Sequence, residues 1–215
     1  MKQVLTACAA IAAAGCLLGF ADGHGHDGHG AGKKFADSFH GQIPDMNVWM
    51  EAGQPGLAHE FLKVFVGTWD TEMKMQMAPD APPVVTSGRS VVRSIMDGRF
   101  IQEDYTSDFM GQPFQGMSIT GYDNNKKQFV ATWIDNFSTG VYTMYGSINP
   151  EGNMMTMVGN MDEPMTGEVG KAVLSTHEII DEDTHRMRSY DVLYGEKKLQ
   201  FEITYRRAEG SNRGE

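Results

Sequence analysis

The sequence predicts an all-β fold: an antiparallel meander of about ten strands closed into a barrel, preceded by short N-terminal helices. Three observations carry that prediction. The apolar period changes from 3.6 to 2 at Gly67, most cleanly in the first and last runs, while 85–96 and 128–136 carry apolar residues on both parities. The segments between the alternating runs are brief and carry turn chemistry, as in Gly111-Gln-Pro113, Asp123-Asn-Asn125, Asn149-Pro-Glu-Gly152 and Asp181-Glu-Asp183. The first and last runs both look half-buried, which suits their pairing with each other, and closure removes both sheet edges. A sandwich is the alternative.

The elements follow in order. Residues 1–21 read as a secretory signal: Met1-Lys2 supply the positive start, and an Ala-rich apolar stretch runs from Val4 to about Phe20. Cleavage after Ala21 competes with a lipobox-like reading, Ala13-Ala14-Gly15-Cys16, that would make Cys16 the lipidated first residue. Residues 22–44 open on a Gly/His-rich tract with no apolar side chain, which cannot bury enough surface to offset chain entropy and is expected to be disordered. A helical segment follows over 45–66. Its first helix runs Asp45–Ala52, with Asp45 as N-cap and Gly53 as stop. Its second runs Leu57–Val66, with Leu57, Phe61, Leu62, Phe65 and Val66 at helical spacing and Gly67 closing it.

The barrel spans 67–207. Its first strand alternates Trp69, Thr71, Met73, Met75 and Met77 against Asp70, Glu72, Lys74 and Gln76, so one face is buried. Eight strands are expected near 85–96, 98–109, 114–122, 128–136, 140–148, 153–161, 171–181 and 185–194. The last alternates Leu199, Phe201, Ile203 and Tyr205 against charged and polar residues. Residues 208–215 are expected to be a flexible end.

Composition narrows the function classes. The chain has 215 residues, 18 Lys+Arg against 28 Asp+Glu, a net charge of −10 and 40% hydrophobic residues. An acidic balance lacks the basic footprint that phosphate contacts need, which argues against a nucleic-acid partner. Past the N-terminus no apolar run is long enough to span a bilayer as a helix. The two cysteines, Cys8 and Cys16, both lie in the signal. Cleavage after Ala21 therefore leaves no disulfide, thiol nucleophile or thiolate site at an exported destination, periplasmic or lipid-anchored in the cell envelope.

Gly67-Thr-Trp69 directly after a short helix, followed by a meander, resembles the calycin superfamily of lipocalins and their relatives. There a Gly-x-Trp on the first strand meets an Arg on the last. Arg207 shares parity with Leu199 to Tyr205 and is the matching residue here; it would cover the indole at the closed end. A more specific resemblance spans residues 45–207. Its stretches include Trp49-Met-Glu-Ala, His59-Glu-Phe-Leu, Val66-Gly-Thr-Trp69, Asp97-Gly-Arg-Phe-Ile101, Gly121-Tyr-Asp-Asn124, Trp133-Ile-Asp135 and Glu202-Ile-Thr-Tyr-Arg-Arg207. By these the chain is similar to the bacterial family catalogued as domain of unknown function 1579. The resemblance implies a barrel and frequent export, and no known activity.

A barrel of eight to ten strands is wide enough for an interior cavity, the default ligand site. Trp69, Met73, Met75, Arg99, Glu103, Tyr105, Trp133 and Tyr145 are the candidate ligand-binding residues. Glu103 and Tyr105, facing inward, would be polar groups in an apolar setting, and an unpaired buried carboxylate has its pKa raised. An internal Arg99–Glu103 pair is the plainer expectation. The chain shows no Gly-x-Ser-x-Gly, no phosphate-binding Gly loop and no His-Glu-x-x-His, so no residue set argues for an enzyme.

Two features point to metals. His24, His26 and His29 lie within six residues. A mature chain beginning Asp22-Gly23-His24 would offer an α-amine, two amide nitrogens and an imidazole in a square plane, which suits copper as Cu(II) or nickel as Ni(II). With Cys16 as first residue, a flexible three-His tract with affinity for zinc remains. The 16 methionines include Met73-x-Met75-x-Met77 and Met154-Met155-x-Met157. Thioethers suit Cu(I), but Met at alternate strand positions faces the core and is expected there as packing. Some calycin relatives bind haem through one His, and His177 and His185 are the residues that such a role would use. The leading expectation is a binding protein for a small, mainly apolar molecule, with metal handling by the tail and haem binding as alternatives.

Overall fold

The structure, a computed structural model, describes residues 46–77, 82–164, 166–193 and 196–211. The expected signal, the tail with His24, His26 and His29, and the Asp45 cap lie outside the described residues. Helices α1 (Met46–Ala52) and α2 (Leu57–Lys63) precede ten strands. These are β1 (Gly67–Met75), β2 (Val84–Ile95), β3 (Phe100–Phe109), β4 (Gln112–Asp123) and β5 (Gln128–Asp135). The second half holds β6 (Tyr142–Ile148), β7 (Met154–Glu163), β8 (Glu168–Asp181), β9 (Thr184–Leu193) and β10 (Glu196–Arg207).

Every strand pairs antiparallel with its sequence neighbour, and β1 pairs β10 to close the barrel. The β1–β10 register sets Trp69 opposite Arg207, Thr71 opposite Tyr205 and Met73 opposite Ile203. The alternation read in the sequence thus becomes an inside and an outside. Trp69, Thr71 and Met73 are buried, and Asp70 and Lys74 are exposed. On the outer face Arg188 bridges Glu178 and Glu202, and Arg93 pairs with Asp104.

α2 stops at Lys63, three residues short of the expected Val66. Phe65 N–H and Val66 N–H bond to the carbonyls of Leu62 and Lys63, three residues back, so the chain tightens out of the α-helix. The Phe65 and Val66 carbonyls, left without helical partners, accept from the Trp69 indole N–H at 2.8 Å and from Arg207 Nη1 at 3.1 Å. The helix exit is thereby tied to both sides of the barrel seam. At the other end of α2 the Gly56 N–H donates to His59 Nδ1 at 2.9 Å.

Three further expectations are corrected. Met77 lies beyond β1 and is exposed. Leu199 is 43% exposed because a register shift between Leu199 and Phe201 turns it off the inner face. Met161 to Glu163 and Ile179 to Asp181 carry similar shifts. The chain after Arg207 is held rather than free as far as Ser211: Ala208 is buried and donates to the Thr68 carbonyl, and Thr68 N–H donates to Ser211 Oγ.

Candidate functional site: a chamber inside the barrel

The inner faces of ten strands leave a chamber of about 70 Å³ toward the α2 end of the barrel. Its apolar wall is Phe65, Val92, Ile101, Ala131, Met144, Met155 and Met157. Its polar wall is Glu103, Ser118, Thr120, Ser175, His177, His185 and Tyr205. These side chains meet because they occupy inward positions of neighbouring strands. Met155 stands opposite His177, His177 opposite Met187, and His185 opposite Tyr205.

Glu103 lies deep in the barrel. Ser90 Oγ donates to its Oε1 at 2.7 Å, Ser118 Oγ donates to Oε2 at 3.4 Å, and the Tyr205 hydroxyl is its third partner. Burial pushes its carboxyl pKa up, and these hydrogen bonds only partly oppose the shift. Tyr205 is pushed well above its ordinary value, by burial first and by the Glu103 charge second.

His177 and His185 sit one diagonal step apart on β8 and β9. Burial alone takes His177 down to about 4. His185 is driven well below 6.5 by burial, with smaller contributions from the charges of His177 and Arg207. Both imidazoles are therefore neutral at neutral pH. His185 stacks on Tyr205 with ring centroids 4.2 Å apart and meets the edges of Trp69 and Phe65. Neither of its ring nitrogens has a hydrogen-bond partner among the described residues.

Trp69 closes this end of the barrel. The Arg207 guanidinium lies 4.1 Å from its ring centroid, and Arg207 Nε donates to Asp183 Oδ1 at 3.0 Å. The seam contact expected from sequence is therefore formed.

Of the eight residues expected to bind ligand, Glu103 alone lines the chamber. Trp69 is the end plug, and Met73 and Met75 belong to the packed core. Tyr105 and Trp133 join Phe114 in an aromatic cluster. Trp133 Nε1 donates to Asp135 Oδ2, two residues on along β5, at 2.8 Å.

Arg99 is a correction. It lies outside the strand, donates to the carbonyls of Gly53 and Met96, and faces Asp97 at 3.7 Å. The internal Arg99–Glu103 pair does not form, because β3 starts at Phe100 and Arg99 belongs to the turn before it. Instead Arg99 and Asn124, which donates to Ala52 and Gln54, anchor the α1–α2 linker. Tyr145 is the second correction. It sits on the outer parity of β6, 42% exposed, while Met144 faces in. His177 and His185 were singled out in the sequence only as residues that a haem-binding role would use. Nothing local in the sequence marks that they share one wall.

The chamber does not fit haem. Pockets for ligands of drug size or larger run to roughly 300–1,000 Å³, several times the space present. No cluster of three His, Cys, Asp or Glu that could hold a metal is found among the described residues. Among them no helix is long and apolar enough to cross a membrane.

A family model described as protein of unknown function (DUF1579) matches residues 54–207. No curated protein matches the chain significantly. The crystal structure of Rv2717c from M. tuberculosis is similar in fold, with TM-score 0.52 and 13% identity, covering 73% of this chain and 100% of that one. A redesigned β-barrel matches 71% of this chain and 96% of its own at 13% identity, with TM-score 0.37.

Proposed function

Because this chain belongs to the DUF1579 family of proteins of unknown function, we propose a role from the barrel's own chemistry. It is an exported binding protein whose interior chamber takes a small, mainly apolar ligand. The observation that carries this reading is the chamber itself, about 70 Å³ walled largely by Ile101, Met144, Met155, Met157 and their apolar neighbours. A space of that size suits an occupant of a few heavy atoms. Methionine walls adapt to such a ligand, because an unbranched thioether repacks at little cost. Export rests on the N-terminal signal, and the intact mass of the protein from its own cell envelope checks it.

Xenon is the probe for the chamber, since dry apolar cavities take it up. The expected result is saturable shifts of the Met155, Met157 and Ile101 methyl resonances under xenon pressure, with surface methyls unmoved. Methyls that stay in place throughout would mean a chamber too closed or too wet to hold an apolar ligand.

A second reading has one sequence observation in its favour. The Asp22-Gly23-His24 start, with His26 and His29 close behind, would bind Cu(II) or Ni(II) if cleavage follows Ala21.

A further inference from the structure

We propose that the polar wall of the chamber is a binding site for a soft monovalent metal ion, Cu(I), held by His177 and His185 together with thioether sulfur from the methionines beside them. This rests on the reading of the chamber as a ligand site, and it names a second class of occupant there.

Three observations carry it. His185 is buried, with both ring nitrogens lacking a hydrogen-bond partner among the described residues. A buried polar group left in that condition calls for a missing water or ion. His177 lines the same chamber one diagonal step away on the next strand.

Thioethers complete the set. Met155 is directly opposite His177 in the β7–β8 register, which places the two Cβ atoms about 4.5–5.5 Å apart. Met157 and Met144 line the same space, and the Met144 sulfur already accepts from Ser175 Oγ at 3.8 Å. Imidazole with thioether is a soft donor set that selects Cu(I), whereas Ca²⁺ and Mg²⁺ require oxygen ligands. Glu103 is the one carboxyl on the wall. It is already engaged by Ser90 and Ser118 and is not counted among the ligands.

The test uses the full chain without a histidine affinity tag, beside a variant in which His24, His26 and His29 are all Ala. Cu(I) is supplied anaerobically against a chromogenic Cu(I) chelator. Ag(I) serves as its redox-inert stand-in, followed by the methyl resonances of the methionines. The expected result is one Cu(I) per chain retained by the tail variant, with Ag(I) shifting the methyls of Met155 and its chamber neighbours. His177→Phe should weaken that binding by about 10-fold to 100-fold or more, since loss of even an outer-shell partner costs about that range. Met155→Leu, which conserves volume, should weaken it less and leave thermal unfolding unchanged, separating ligation from misfolding.

Loss of all Cu(I) binding in the tail variant, or equal affinity in the parent and His177→Phe, would overturn the proposal. Xenon entry without Ag(I) shifts sinks the metal site and leaves the apolar-ligand reading standing. Methyls unmoved by either probe sink both.

Discussion

Glu103 is the residue at which the barrel's interior is least comfortable. Its carboxyl sits among Ile101, Val92 and the chamber methionines, and three hydroxyls from Ser90, Ser118 and Tyr205 are gathered on it. Burial outweighs those bonds and raises its pKa. The folded chain therefore holds the proton over a range in which the unfolded chain has released it. Stability is unaffected below the unfolded pKa near 4.5 and declines as pH rises through the folded value. Glu103→Gln keeps the shape and removes the ionisation. It should stabilise the fold at neutral pH and do nothing below pH 4.5. Urea unfolding at the two ends of that range checks this; a variant less stable at neutral pH would mean that the three hydroxyls need a carboxylate.

At the scale of elements, strand spacing sets what can stand on the inner face. Gly146 on β6 lies where a Cβ would come within 1.9 Å of the Thr156 carbonyl oxygen and 2.6 Å of the Met157 sulfur. The clash is with backbone, so β6 and β7 must part before a side chain fits. Gly146→Ala should cost about 3 kcal/mol, the upper end for overpacking, as read from the denaturation midpoint. Gly116 has the complementary role, leaving room for the Trp133 ring, whose Cζ2 would lie 2.1 Å from an added Cβ. Both positions read in the sequence only as glycines in strands, which weakens confidence in a strand. In the barrel Gly146 lets two strands approach and Gly116 makes room for an indole ring. α2 teaches the same lesson from the other side. Its apolar spacing through Val66 is real, yet the helix ends early because Trp69 and Arg207 hydrogen-bond the carbonyls of Phe65 and Val66.

The ten strands form one closed sheet, so protonation of the barrel interior is felt as stability of the whole barrel. His177 titrates near 6.5 unfolded and about 4 folded. Above pH 6.5 neither state binds the proton and pH is without effect. From 6.5 down to 4 only the unfolded chain takes it up, so stability falls as pH falls and levels off below 4. The shift corresponds to about 3 kcal/mol for His177. His185 adds to it in the same direction. His177→Phe should remove that share of the acid loss, so its stability relative to the parent should rise between about pH 7.5 and pH 4.5. A constant difference across that range would mean that His177 is solvated in the folded chain. The opposite slopes from Glu103 and the histidines confine the stability maximum to the interval between their unfolded values.

The order of elements and the alternation of the first and last strands could be read from the chain alone, whereas the pairing of β1 with β10 chose the barrel over the sandwich that the sequence also allowed. Order and alternation depend on local chemistry: alternation that buries one face, and turn residues between runs. The Trp69–Arg207 seam was legible through the resemblance to calycins, with strand parity choosing Arg207 as the matching residue. Which residues line the chamber was decided only by the tertiary structure. Chamber membership depends on depth along the barrel axis, and depth is set by register, by the shifts at Leu199, Met161 and Ile179, and by where α2 stops. Parity alone could not place Arg99 in a turn, Tyr145 outside, or His177 and His185 on one wall. Those placements compare residues on different strands, and the sequence of a single strand carries no measure of the distance between them.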